Sequence, residues 1–330
     1  FNLNSTSWYC KATFILNNET GNLVIDGIKD YKAIIYNTLI NNGIADIKNS
    51  TFTRSGDSWQ SAGIYGRTGT LNLTNVNNNS KIINDGTGSI NINSGQYSNT
   101  VSNTSSGTIN IIGGTITEGV SNTNTGTINI GTKGDLTEEG ELNVSKTNPN
   151  ITNSSGYGLT ISGGIVNFYD GIISGTSGAI NGTLNEIEDG YEIISGKTED
   201  GKESKYLALL PVAKIVSTNE EYYNLQDAID AVTKTGETIK IIRKNTTLNT
   251  LETITIPEDK NIIIDLNGYT IEQNNENFLV NNGTLKITDS SENNTGRFDF
   301  SANKLFENNG VMELEKFNIS IKKGLENAIT

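Results

Sequence analysis

Chemistry in this chain has to be found without histidine, which is absent from all 330 residues. That removes the commonest general base, proton shuttle and metal ligand. Carboxylates, lysines and the arginines Arg54, Arg67, Arg243 and Arg297 remain. The acidic pairs Glu138-Glu139 and Glu220-Glu221 are adjacent in sequence, so on a strand their side chains point to opposite faces and do not cooperate. Asp289 with Glu292, or Asp135 with Glu138, could offer oxygens to calcium, but nothing in the sequence supplies the roughly six to eight ligands that ion takes. The glycine-rich nonapeptide signature of calcium-binding solenoids is also missing. The sequence therefore assigns no catalytic residue and no cofactor, and leaves a metal open.

Contact chemistry is richest in Arg54-Ser-Gly-Asp57-Ser-Trp59-Gln60-Ser-Ala-Gly-Ile-Tyr65-Gly-Arg67. Trp59 and Tyr65 offer rings for a pyranose face, while Arg54, Asp57, Gln60 and Arg67 offer planar hydrogen-bonding groups for hydroxyls. These six are the candidate glycan-contact residues. The plain alternative is that Trp59 only covers apolar surface on a shoulder of the scaffold.

What must position them is a repeat. Gly-x-apolar-x-apolar recurs at Gly69, Gly88, Gly107 and Gly126, always 19 residues apart. So short a unit has one apolar face and nothing of its own to bury it against, so stacked neighbours must supply the partner surface. The pattern extends upstream to Gly43 and Gly21, and downstream to Gly140-Glu-Leu142-Asn-Val144 and Gly164-Ile-Val166-Asn-Phe168. Variable spacing around a constant strand is what corner insertions produce. The Gly43-to-Gly69 coil, seven residues longer than the regular unit, is the one that holds the contact segment.

Within a unit, as in Thr108-Ile109-Asn110-Ile111, alternation sends isoleucine inward and threonine or asparagine outward. A turn pair follows (Ser94-Gly95, Gly113-Gly114, Asp170-Gly171), then a second apolar position at Tyr97, Ile116 or Ile172. Asparagine totals 48 residues, a bias that suits corners and amide ladders. The prolines Pro149, Pro211 and Pro257 all fall near expected boundaries, since interior strands need every N–H.

The expected architecture is an all-β solenoid in two stacked or tandem modules. Residues 1–184 form the first, with roughly eight coils and a length of about 40 Å at about 4.8 Å per coil. Residues 185–212 form a hairpin cap or linker. Residues 213–330 form the second module, opened by a capping helix over 224–234. On that helix Leu225, Ala228, Ile229 and Val232 share one face, Asn224 is the N-cap, and Gly236 is placed to stop it. Asn281-Asn-Gly283 and Asn308-Asn-Gly310 repeat the Asn41-Asn-Gly43 opening of the first module. The abrupt Phe1 start and the uncapped Ile319-to-Thr330 end read as a piece of a longer protein.

The run Tyr223-Asn-Leu-Gln-Asp-Ala-Ile-Asp-Ala-Val232, then Gly236-Glu-Thr-Ile-Lys-Ile, then Asn261-Ile-Ile-Ile-Asp-Leu-Asn-Gly-Tyr-Thr-Ile271, resembles pectin-lyase-like β-helix modules of large Gram-positive surface proteins. The resemblance covers roughly 212 to 330, and the Ser162-Gly-Gly-Ile165 and Asp170-Gly-Ile-Ile173 repeats share it more loosely. It implies a right-handed parallel β-helix and an adhesin-like protein at the bacterial cell surface, associated with the cell wall, with no defined active site to carry over.

The net charge is −13, with 9 basic and 12 acidic residues before residue 186 and 15 and 25 after it. An acidic surface disfavours nucleic acid and anionic membranes. Cys10 alone makes no internal disulfide. The most apolar stretch, Tyr206 to Val216, is too short to span a membrane and contains Pro211 and Lys214. Three function classes follow: a non-catalytic surface adhesin or stalk, a carbohydrate-active lyase or hydrolase, and a phage tail-fibre segment. Expected partners are host or microbial glycans or surface proteins, and further copies meeting end to end.

Overall fold

Period-2 alternation over short segments separated by glycine and asparagine corners gives strands too short to stand alone, and they are stabilised only by stacking on their counterparts in the next coil. The computed structural model describes residues 9–10, 14–27, 33–36, 38–53, 63–135, 143–243, 253–273, 277–300 and 304–321. The chain divides into two compact units, Phe1–Ala208 and Leu209–Thr330. Both are parallel β-solenoids, with about 11 turns in all.

Each coil of the first unit contributes to three faces. The first face stacks Asn22–Asp26, the leading halves of Ile44–Thr53 and Thr70–Asn78, then Ser89–Ile92, Thr108–Ile111, Thr127–Ile130, Ile165–Phe168 and Glu186–Ile187. The second runs from Ala33–Tyr36 through Gly95–Tyr97, Thr115–Ile116 and Asn150–Asn153 to Ile172–Gly175. The third runs from Phe14–Asn17 to Gly178–Asn181. Ladder pairing puts Leu71, Ile90, Ile109, Ile128 and Val166 in one column, all fully buried. Leu73, Ile92, Ile111, Ile130 and Phe168 form the next.

The repeat glycine has a steric cause. A Cβ on Gly88 would lie 2.3 Å from the Gly69 carbonyl oxygen, and one on Gly107 would lie 2.3 Å from that of Gly88. Only glycine lets successive corners approach this closely. Beside this column, a buried row of asparagines ties each corner to its neighbours. Asn103 Nδ2 donates to the Gly107 carbonyl at 2.8 Å and to Thr127 of the next coil at 3.1 Å. Asn84 and Asn122 repeat the arrangement.

Three sequence expectations need correction. Thr127–Ile130 pairs directly with Ile165–Phe168, so this ladder passes over the Gly140–Val144 segment, of which 140–142 lie outside the described residues while Asn143 and Val144 are in no strand. The intervening residues are an insertion before Asn150–Asn153. At the second-face position it is Ile173, not Ile172, that points inward. Ile173 stacks under Ile151, while Ile172 stacks under the outward Asn150 and opposes Tyr206. The helix spans Leu225–Ala231, ending well before Gly236. Val232 is already extended, and Lys260 Nζ reaches the carbonyls of Asp230 and Val232, capping the helix end early.

The hairpin Tyr191–Lys197 and Glu203–Leu209 turns at Thr198–Lys202 and runs antiparallel along Ile172–Gly175, covering that edge of the second face. An edge so occupied no longer templates another strand.

In the second unit the first face stacks Glu237–Ile241, Asn261–Asp265, Thr284–Thr288 and Val311–Leu314. Two three-stranded ladders complete the coil. Leu225, Ala228, Ile229 and Val232 are buried in one core with Ile239, Ile254 and Ile264. Gln226 opposes Thr255 as a strand would: its Oε1 accepts from the Thr255 N–H at 2.8 Å and its Nε2 donates to the Thr255 carbonyl at 3.0 Å.

Candidate functional site

In sequence, the extra residues of the wide coil fall between Ile44–Thr53 and Gly63–Gly66, the latter a strand of the third face. Of the six candidate contact residues, Arg54, Asp57, Trp59 and Gln60 lie outside the described residues, and Tyr65 and Arg67 lie within them. Tyr65 points outward from its strand, between Ile40 of the preceding coil and Ile83 of the following one. Leu16, which pairs with Ile40, extends the row, so four consecutive coils carry an outward apolar residue in one column. Leu16 is 48 % exposed and the other three partly so. Further along, the same column turns polar, to Ser102, Ser121 and Thr160, with the Ser121 hydroxyl donating to Ser102 at 2.9 Å. The apolar row is thus confined to the coils around the insertion.

Tyr65 leans back over Gly63, where a Cβ would come within 2.8 Å of its ring. Arg67 follows the end of this strand and is exposed. Its Nε donates to Asp85 Oδ2 of the next coil at 3.3 Å, and its side chain is 47 % exposed. Such a surface pair contributes at most about 1 kcal/mol, so it orients the guanidinium more than it stabilises the coil. A shallow open depression lined by Glu19, Asn42, Ile44, Thr68 and Thr70 lies over the bare glycines Gly43 and Gly69 of the same corner.

A second cluster surrounds the insertion before Asn150. Glu186 accepts from Lys133 Nζ, and from the Tyr169 hydroxyl at 2.6 Å. Those two donors hold its carboxyl below the usual carboxylate range, while burial and the same glutamate push the tyrosine up. The buried Glu188 accepts from the Gly134 N–H at 2.9 Å. Asp170 accepts from the N–H groups of Ser145 and Gly171, both at 2.6 Å. Burial pushes Asp170 up to about 6 against those two donors, helped by the charges of Asp135 and Glu188. Chemically, this cluster clamps the insertion onto the coil and leaves one carboxyl able to titrate near neutrality.

The calcium candidates are otherwise engaged. Asp289 is buried and accepts from the N–H groups of Gly268, Ser291 and Gly296 and from the Ser291 hydroxyl, which makes it the anchor of a turn. Asp135 accepts from Asn143, and Glu138 lies outside the described residues, as does Glu139. Glu220 accepts from Tyr222 and Thr218, while Glu221 pairs with Lys214 across a strand. Among the described residues no group of three or more acidic or cysteine side chains stands ready for a metal ion.

Sequence reasoning missed Leu16, Ile40 and Ile83. Their signal is present, however: Ile15-Leu16, Leu39-Ile40 and Ile82-Ile83 are adjacent apolar pairs on strands, so one member of each has to face outward. The Asp170 environment had no signal, because it depends on Asp135 and Glu188 folding against a corner read only as a turn. No family model, no curated protein and no solved structure matches this chain.

Proposed function

We propose that this chain is a non-catalytic rod module of a bacterial cell-surface protein, of the adhesin-like, pectin-lyase-like kind its second half resembles. The rod displays a carbohydrate-contact surface at the wide coil. The observation that carries this reading is the outward apolar row Leu16, Ile40, Tyr65 and Ile83, with Arg67 beside it. A ring flanked by aliphatic side chains suits the apolar face of a sugar, and the guanidinium suits its hydroxyls. Rigidity is the mechanism of display, since bending would stretch the ladders of several faces at once. The net acidic charge, −13 over the chain, supports a glycan or protein partner over a polyanion.

A glycan array read with wild type and with Tyr65→Ala tests this. Binding that falls by roughly tenfold, about the weight of one aromatic contact, with an unchanged melting temperature supports the reading. Equal binding by both, or none by wild type, removes it.

A carbohydrate-active enzyme is the second reading, favoured by the Asp170 carboxyl at about 6, in the range where a general acid works near neutral pH. Release of reducing ends or unsaturated products from pectin, alginate or host glycans, lost in Asp170→Asn, would favour it over the rod. A stable trimer in light scattering would instead favour a phage fibre.

A further inference from the structure

The outward side of the first face carries a second pattern, separate from the wide coil. From Thr70 to Ile130 the coils have no insertion, and each strand sits in register with the next. Two straight outward columns result: Thr70, Ser89, Thr108 and Thr127 in one, and Asn72, Asn91, Asn110 and Asn129 in the other. All eight side chains are partly exposed.

The amides are locked. Asn91 Nδ2 donates to Asn72 Oδ1 at 2.7 Å, Asn110 to Asn91 at 2.7 Å and Asn129 to Asn110 at 2.8 Å. Each amide spends one N–H and one lone pair on the ladder and keeps one of each for what lies outside. The four hydroxyls have no side-chain partner among the described residues. The result is a fixed grid of donors and acceptors repeating at about 4.8 Å along the axis and about 6.6 Å along the strand.

We propose that this grid binds the water lattice of an ice surface. A flat face offers no concavity for a single small molecule, so its ligand has to be a surface with its own repeat. The grid's two repeats are close to oxygen–oxygen repeats on a prism face of hexagonal ice. None of its eight side chains is charged, the nearest carboxylate in the amide column being Asp46, to which Asn72 donates at 2.6 Å, and none is an aromatic ring on which a sugar face would stack. Ladder-locked amides and stiff β-branched threonines lose little conformational freedom on docking, and many weak contacts made together sum to firm attachment.

The test freezes labelled protein slowly into an advancing ice front, beside a labelled protein of similar size with no such grid. Wild type is expected to enter the ice, while Thr108→Tyr, which breaks the flatness but leaves the inward Ile109 in place, lowers the ice-bound fraction by roughly tenfold through loss of simultaneous contacts. Gln96→Tyr, exposed on the second face, is expected to behave as wild type. Melting curves check the fold, and Ser89→Lys replaces Thr108→Tyr should that variant melt early. Exclusion of wild type from ice, or equal incorporation of wild type and grid variants, overturns the proposal. So does retention on crystalline chitin or cellulose with exclusion from ice, which would assign the face to a sugar lattice.

Discussion

Gly69 lies so close to Gly43 of the preceding coil that a Cβ on it would sit 1.8 Å from the Gly43 carbonyl oxygen. The obstacle is backbone, which cannot swing aside as a side chain could. Gly69→Ala therefore has to push two coils apart at a corner that carries the core ladder. We expect a loss of about 3 kcal/mol in a urea titration, the upper range for overpacking. Gly196→Ala, where the nearest atom is the Ser204 Oγ at 3.3 Å, is the comparison and should stay within about 1 kcal/mol, the usual cost where a flexible side chain can move.

Two asparagines one strand apart separate structural from surface amides. Asn103 is fully buried and holds two carbonyls of different residues. Asn103→Ala removes both side-chain bonds at a buried corner where water does not replace them, although the Gly107 carbonyl keeps the Thr127 N–H, at about 1–2 kcal/mol. Asn110 makes comparable ladder bonds, but on the outside, where water replaces them. Asn110→Ala should cost less than about 1 kcal/mol. Equal losses in denaturant midpoint would contradict the division into buried and outward columns.

Asp170 gives a pH dependence of definite sign. Its folded-state value, about 6, lies above the ordinary aspartate value of 3.8. Its contribution is therefore fully present below about pH 4 and is lost as pH rises through 6. Between pH 7.5 and pH 5 wild type should gain stability that Asp170→Asn does not. Glu186 and Asp289 have the opposite sign, because both are held below their ordinary values. For Glu186 the Lys133 and Tyr169 donors do this. For Asp289 burial raises the value and the surrounding N–H and hydroxyl donors outweigh it. Their contribution is lost only as pH falls further, below about 4. Urea midpoints across pH 3.5 to 7.5, measured on wild type and Asp170→Asn, separate the two windows.

Gln226 closes the edge of Ile254–Ile256 by bonding both backbone groups of Thr255. Gln226→Glu keeps the size but cannot donate to the Thr255 carbonyl. A loss of about 1–2 kcal/mol is expected, as for a carbonyl left without its donor. Hydrogen exchange at the amides of Ile254–Ile256 should accelerate as that edge opens. Unchanged exchange would mean that the helix packs there without capping the strand.

The repeat, the inward columns and the helix face were legible because each rests on local periodicity. Leu71, Ile90, Ile109 and Ile128 read as one column in sequence and stand as one in the structure. The glycine before each strand was legible for the same reason, since no other residue tolerates the stacked corner. The Gly140 match misled because the ladder passes from Thr127–Ile130 straight to Ile165–Phe168. A short Gly-x-apolar-x-apolar match is affordable in a loop, and only pairing across coils tells the two apart. The contact segment was legible as composition alone; its apolar neighbours Leu16, Ile40 and Ile83 come from three different coils.

Sequence by itself determined that this protein stacks, and which residues face the core, because burial of an apolar face at a fixed period leaves one arrangement. Tertiary structure alone decided that Gly134 and Ser145 are held by Glu188 and Asp170, which second-face isoleucine turns inward, and how Asp170 comes to titrate near pH 6. Those depend on residues far apart in the chain meeting at a corner, where register and desolvation, rather than residue type, set the outcome.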